Sequence, residues 1–399
     1  MQKIPMLLCA LAAFILSGCE RVTSLEFDNE ISPLPQVSNE DLAKVLSILP
    51  LSAENFKEVS DAVNSSSRNG YDEEYPLEVL FSSPGYGVGD KYITPSKAQA
   101  AREYSTPLKD LLSDYYNSLR PTKAEGGQGA DGKAYLEALR SSDMQIYWPY
   151  SGSWDGVTPP VITFDPLVEA SANKGYELGT GAEVTVDEQM ARTRPVWVVN
   201  NNSDKGHVSM EIFTQMRARG EPVPGVSAAD AFASKTVAGG SFKTLILRNM
   251  TALRHHDLWL AGGSEYFVKI GAINHFSAST ETELKLYNPF VTDFMKVIRR
   301  RDMGTPQECN IVLVSEWSPQ LESCAFLITE DDGGSQQSWK TEVTVKVNSK
   351  SYGLTVNLPL NIHDDIIWRG SLGCSFLEAY AGETVHFGDM DIVFDFLEY

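Results

Sequence analysis

Three acidic stretches are the residues best able to do chemistry. They are Glu330-Asp331-Asp332-Gly333-Gly334, His363-Asp364-Asp365 and Gly388-Asp389-Met390-Asp391. Each falls between strand-like segments, so each reads as a loop or strand end. Carboxylate oxygens gathered on loops at one end of a β-sandwich suit Ca²⁺, a hard cation that takes about 6–8 oxygen ligands. Asp331, Asp332, Asp364 and Asp365 are the expected ligands, and calcium is the cofactor they would take. The same acids are also what a chain with 53 Asp and Glu scatters over its turns.

A second chemistry needs paired carboxylates. Asp165, Asp187 and Glu188 lie near aromatics, and glycosidases use two carboxyls at a fixed separation. Sequence does not measure that separation. The cluster His255-His256-Asp257 is a poor metal set if it lies on a strand, because adjacent side chains point to opposite faces. Tyr86 to Asp90 is Gly-rich, but no strand–helix context of the phosphate-binding kind surrounds it, so it reads as a turn. H-E-x-x-H, G-x-S-x-G, G-x-x-x-x-G-K-[ST] and the C-x-x-C zinc spacing do not occur. No catalytic residue is assigned.

A third feature is aromatic. Trp148-Pro-Tyr150-Ser-Gly-Ser-Trp154 sets three rings around turn-forming residues. Such rings either plug the rim of a sandwich or form a platform on which sugars stack. On strand parity Trp148 shares a face with Met144 and Ile146 and is expected to be buried. Trp154 follows Ser151-Gly-Ser153 and is the expected ligand-binding residue. Trp259 is expected in a core, with Gly262-Gly263 making a turn or bulge.

The charge balance excludes some partners. The chain carries −20 at pH 7. It repels nucleic acid and anionic head groups, so no nucleic-acid partner is expected. The 42% hydrophobic content allows ordinary cores. Cys309 and Cys324 are 15 residues apart and flank two apolar runs. A disulfide across a hairpin there would stabilise by ~3 kcal/mol; the alternative is that they and Cys374 are buried thiols.

The N-terminus has its own chemistry. Lys3 precedes an apolar run from Ile4 to Leu16 that is too short to span a bilayer. Leu16-Ser17-Gly18-Cys19 closes it. This segment resembles the signal peptide and lipobox of bacterial lipoproteins. The resemblance implies removal of residues 1–18 and acylation of Cys19, with palmitate-like chains holding the protein at a membrane by burying about 0.8 kcal/mol per CH₂. Glu20 after that cysteine implies the outer membrane, on its periplasmic or cell-surface face. The membrane partner is then the lipid itself. Ile146 to Gly156, Pro160 to Pro166, Val186 to Glu188 and Arg194 to Val198 resemble a segment of uncharacterised bacterial surface lipoproteins. His256 to Ile270 is similar to a strand opening in secreted β-sandwich modules. Neither resemblance implies an activity.

The elements that must position these residues follow from periodicity. Residues 19–37, with Pro33 and Pro35, read as a tether. Residues 38–142 read as mainly helical. Ser38 offers an N-cap to a helix carrying Leu42, Val45, Leu46 and Leu49, and Pro50 separates it from a second helix over 52–63. A third lies within 96–119, capped by Ser96 and kinked or split at Pro107. Thr122 to Gly132 is a loop and 133–141 a short helix. From Asp143 the period becomes 2, with strands expected at 144–148, 161–164, 184–186, 195–200, 208–213, 242–247, 266–270, 311–314, 325–328, 341–347, 354–358, 375–379 and 392–396. The expected fold is α+β, mainly β: a helical region, a β-rich domain over 143–240 and a C-terminal β-sandwich over 241–399, divided near Ala238-Gly-Gly240. The expected function is non-catalytic binding of a glycan or protein partner, or a structural role, at the cell envelope. The alternative is an envelope hydrolase acting on glycan or peptide through paired carboxylates.

Overall fold

Ser38 starts the first helix as its sequence requires. In the computed structural model, which describes residues 34–81, 104–119, 132–168, 170–202, 207–219 and 243–398, the Asp41 N–H donates to Ser38 Oγ at 3.1 Å and the Ser38 N–H donates to the Asp41 carboxylate at 3.2 Å. This capping box satisfies two N–H groups that an α-helix leaves open. Helix α1 (Asn39–Ile48) stops before Pro50, and α2 (Ala53–Arg68) follows. After α3 (Leu77–Phe81), Pro107 begins α4 (Leu108–Ser118) from its N-cap position. Proline tolerates that place because its missing N–H is not needed there. The expected Ser96 cap, the Tyr86–Asp90 turn, the 122–131 loop and the Ala238–Gly240 boundary lie outside the described residues. Helix α5 spans Gly132–Arg140. No helix among the described residues is long and apolar enough to cross a membrane.

The helices cover a six-stranded sheet. Its strands are β1 (Glu74–Pro76), β2 (Met144–Tyr147), β3 (Val161–Phe164), β4 (Ala172–Glu177), β5 (Glu183–Asp187) and β6 (Val196–Asn201), in spatial order β1-β2-β6-β3-β4-β5. β3 and β6 are parallel; the other neighbours are antiparallel. Alternation on β6 serves two cores. Trp197 and Val199 join Ile146, Trp148 and Ile162 beneath α1, α2, α4 and α5, while Val196 and Val198 join Tyr147, Val161, Val186, Trp259 and Leu260 on the opposite face. Both faces are covered, so β6 reads as a continuous apolar run.

The rest is mainly antiparallel β. β7 (Lys243–Ala252), β10 (Gln307–Trp317), β15 (Thr384–Phe387) and β16 (Met390–Glu398) form a sheet in the order β10-β7-β16-β15. β8 (Ser264–Ala272), β9 (Phe290–Ile298), β11 (Leu321–Glu330), β12 (Gln336–Val347) and β13 (Lys350–Asn361) form another in the order β13-β12-β11-β8-β9, and β14 (Asp365–Gly373) also pairs with β11. One apolar core, including Leu247, Val268, Phe326, Val345 and Phe394, joins the two sheets in sandwich-like packing. β12 alternates as expected, with Val343, Val345 and Val347 all buried.

Three expectations fail. Val208–Phe213 is not a strand: Met210–Arg219 is a helix, α6 to α7 in chain order being Glu188–Ala191 and this segment. Ser209 Oγ accepts the Ile212 N–H at 3.2 Å, a helix-starting contact that outweighs the β-prone Val208 and Ile212. Ser375–Ala379 lies in a short helix, Cys374–Ala379. The Cys309–Cys324 disulfide is not formed; Cys309, Cys324 and Cys374 are free thiols. Its premise was a β10–β11 hairpin, but β10 pairs with β7 and β11 with β8, β12 and β14.

Candidate functional site

The aromatic segment builds a cleft at the end of β2. Trp148 is 1% exposed and enters the core, as strand parity requires. The chain then turns at Tyr150, which takes φ 61°, into one turn of 3₁₀ helix at Ser151–Ser153. A bulky residue in the left-handed region costs roughly 1–3 kcal/mol and persists only where its surroundings hold it. Here the fully buried Glu73 does so. Its carboxylate accepts the Tyr150 N–H at 3.1 Å and the Ser151 hydroxyl at 2.8 Å, with the Arg301 guanidinium 3.3 Å away. Burial pushes the Glu73 pKa up, and the Arg301 charge works against that push.

This turn brings Trp154 back over Trp148, ring centres 5.3 Å apart, with Trp148 in turn 5.8 Å from Trp197. Trp154 is half-buried, and its indole N–H donates to the Thr158 carbonyl at 2.9 Å. The cleft beside it has a volume of about 150 Å³ and is lined by Tyr150, Ser153, Trp154, Asp155, Thr158, Thr193 and Arg194, with Trp148, Ala191 and Pro195 behind. Tyr150 donates its hydroxyl to Glu188 at 2.6 Å, and the Arg192 guanidinium lies 5.1 Å from its ring centre. Arg194 is held by a two-pronged contact to Glu177 at 3.1 and 3.2 Å. Asp155 accepts from the Thr158 hydroxyl and from the Thr158 and Val157 N–H groups, which lowers its pKa to about 2. It is the one carboxylate in the lining.

The other proposed carboxylates have local partners. Asp187 accepts the Met190 N–H and caps a helix; Asp165 accepts the Leu167 N–H. Glu188 accepts from Tyr150 and Arg192. His255 and His256 diverge: His255 Nε2 lies 3.3 Å from the Arg300 carbonyl and His256 Nδ1 lies 3.0 Å from Asp365.

The acidic loops do converge, in a different grouping from the one the sequence suggests. Register places Glu330, at the end of β11, between Tyr266 of β8 and Asp365 of β14. One carboxylate oxygen from each of Asp257, Glu330 and Asp332 lies within 4.8 Å of the others. Asp331 is elsewhere engaged: its Oδ1 accepts the Gly333 N–H and the Asn361 amide, both at 2.9 Å. Asp364 accepts the Asn361 N–H at 2.8 Å, and Asp365 pairs with His256. Of the four expected ligands only Asp332 belongs to the close trio. Asp257 and Glu330 come from segments that the sequence singles out, but their meeting depends on β8–β11 pairing. Desolvation raises the Glu330 pKa far above the carboxylate range, helped by the negative charges of Asp257, Glu265 and Asp332. Desolvation also raises Asp257, and burial with four neighbouring acids raises Asp332 to about 6.

Comparison with known protein families, curated proteins and solved structures finds no match for this chain.

Proposed function

We infer that the protein is a lipid-anchored component of a bacterial cell envelope that binds a glycan without catalysis. Its ligand site is the Trp154 cleft. The supporting observation is a half-buried indole that lines a cleft beside Tyr150, where the backbone is held by a buried carboxylate. The apolar C–H face of a sugar ring stacks on such an indole, and a few fixed polar groups then set orientation. Arg194 uses two of its N–H donors on Glu177, and a guanidinium has five, so donors remain for ligand hydroxyls. The cleft is small, with room for about one ring, which suits the end or a single unit of a glycan. Binding is favoured over hydrolysis because the lining holds Asp155 alone, where acid–base cleavage needs two carboxyls.

Anchoring rests on Leu16-Ser-Gly-Cys19. Cells fed an alkyne fatty acid should label the wild-type chain and leave Cys19→Ala unlabelled and released from the membrane fraction. Equal labelling and equal fractionation of the two would end the anchoring claim. The ligand claim is tested by titrating the full chain with envelope oligosaccharides, with Trp154→Ala as control.

A further inference from the structure

We propose that Asp257, Glu330 and Asp332 form a Ca²⁺ site at one end of the C-terminal sandwich. The site is separate from the aromatic cleft and does not rest on the glycan reading. The trio supplies three hard carboxylate ligands from two distant segments of the chain, and their closest oxygens lie within 4.8 Å of one another. Two oxygens that share one Ca²⁺ at 2.3–2.6 Å can be at most about 4.6–5.2 Å apart, so the spacing of the trio is compatible with one ion bridging it. Mg²⁺, at 2.0–2.1 Å, demands near-ideal octahedral geometry and gives up its waters reluctantly, so an all-carboxylate trio suits it less than Ca²⁺. The absence of Cys or His from the trio disfavours softer metals.

A cluster of acids alone is a common surface feature; Glu330 makes this one different. It is 0% exposed, on the face of β11 shared with the core residues Phe326 and Ile328. Neither of its carboxylate oxygens meets a hydrogen-bond donor. Buried polar atoms are otherwise partnered, and an unpaired buried carboxylate is among the most costly groups a protein can hold. The group facing Glu330 is a second carboxylate, Asp257. Arg300 donates an Nη1–H to the Asp257 backbone carbonyl at 3.0 Å, not to a carboxylate of the trio. Two facing carboxyls need either a shared proton or a cation between them. Asp332 is exposed, so the trio is open to solvent on one side, where water can complete the coordination shell. Bound Ca²⁺ would tie the segment before β8 to the end of β11 and the loop after it.

The test uses the full chain, stripped with chelator and then titrated with CaCl₂ or MgCl₂, followed by calorimetry and by thermal melts. Ca²⁺ should bind at one site and raise the melting temperature with its concentration, and Mg²⁺ should do so at least about tenfold more weakly. Asp332→Asn changes an exposed side chain and removes a charge that its acidic neighbours repel, so it should not lower the chelator melt while weakening Ca²⁺ at least about tenfold, because ligand charge sets affinity. Glu330→Gln should abolish binding. Identical wild-type melts in CaCl₂ and chelator would show a shared proton instead of a metal and overturn the proposal. So would unchanged Ca²⁺ affinity in Asp332→Asn, or equal affinity for Mg²⁺.

Discussion

Replacing Trp148 and Trp154 one at a time separates packing from presentation. Trp148 is 1% exposed, and its ring meets Trp154 at 5.3 Å and Trp197 at 5.8 Å. Trp148→Ala removes the transfer energy of an indole and leaves a cavity, which costs about 3–5 kcal/mol. Two ring pairs, each worth ~0.5–1.5 kcal/mol beyond burial, place it in the upper half of that range. Whole-domain stability is about 5–15 kcal/mol, so this one change removes roughly a quarter or more of it. Trp154 is half-buried, with one hydrogen bond to Thr158 worth ~1 kcal/mol and one ring pair. Trp154→Ala should therefore cost about 1.5–2.5 kcal/mol. Urea melts followed by circular dichroism give both values from the shift in midpoint at unchanged slope. Equal losses for the two variants would make Trp154 a core plug and remove the basis for a ligand surface. A near-neutral Trp148→Ala would contradict its burial.

Further outcomes follow from the buried charges. Glu73→Ala leaves the Tyr150 N–H and the Ser151 hydroxyl without their acceptor and Arg301 without its partner, so it should cost about 3–5 kcal/mol in the same melts; a loss below about 1 kcal/mol would show that Glu73 does not hold the turn. Stability in chelator should fall as pH rises between about 5 and 8. Asp72 is 3% exposed, and burial beside Glu73 raises its pKa from 3.8 to about 7. A folded-state pKa above the unfolded one gives a contribution that is complete below the unfolded value and lost as pH passes through the folded value, here up to ~4 kcal/mol. Burial also raises Asp293 to about 6, and it acts in the same direction. His255 opposes them up to pH 6.5, because desolvation lowers its pKa to about 4 and favours the neutral ring. Melting temperatures that climb steadily from pH 5 to 8 would contradict this balance.

Local signals in the sequence carried local structure well. Ser38 and Asp41 specify the first helix start, and Val161–Phe164 and the alternating Val343, Val345 and Val347 specify strands that the structure contains. Trp148 could be placed inside because parity needs only its own strand. Long-range pairing was not legible. β14 reads Asp-Ile-Ile-Trp-Arg-Gly-Ser-Leu-Gly, without alternation, and becomes a strand by lying along β11. The acidic loops were visible as loops, yet which acids meet depends on Glu330 pairing with Tyr266, a contact between residues far apart in sequence. The support of the cleft was hidden for the same reason: Glu73 reaches Tyr150 and Ser151 across the fold, and no spacing links them.

The most direct test of the central claim is a calorimetric titration of the full chain in detergent with oligosaccharides released from the host envelope, run beside Trp154→Ala and Arg194→Ala. Wild type should bind saturably with quenching of indole fluorescence, and each variant should bind at least about tenfold more weakly while keeping a folded circular dichroism spectrum. Binding of the same strength in wild type and Trp154→Ala, or steady cleavage of the oligosaccharide during the titration, would contradict a non-catalytic glycan site at this cleft.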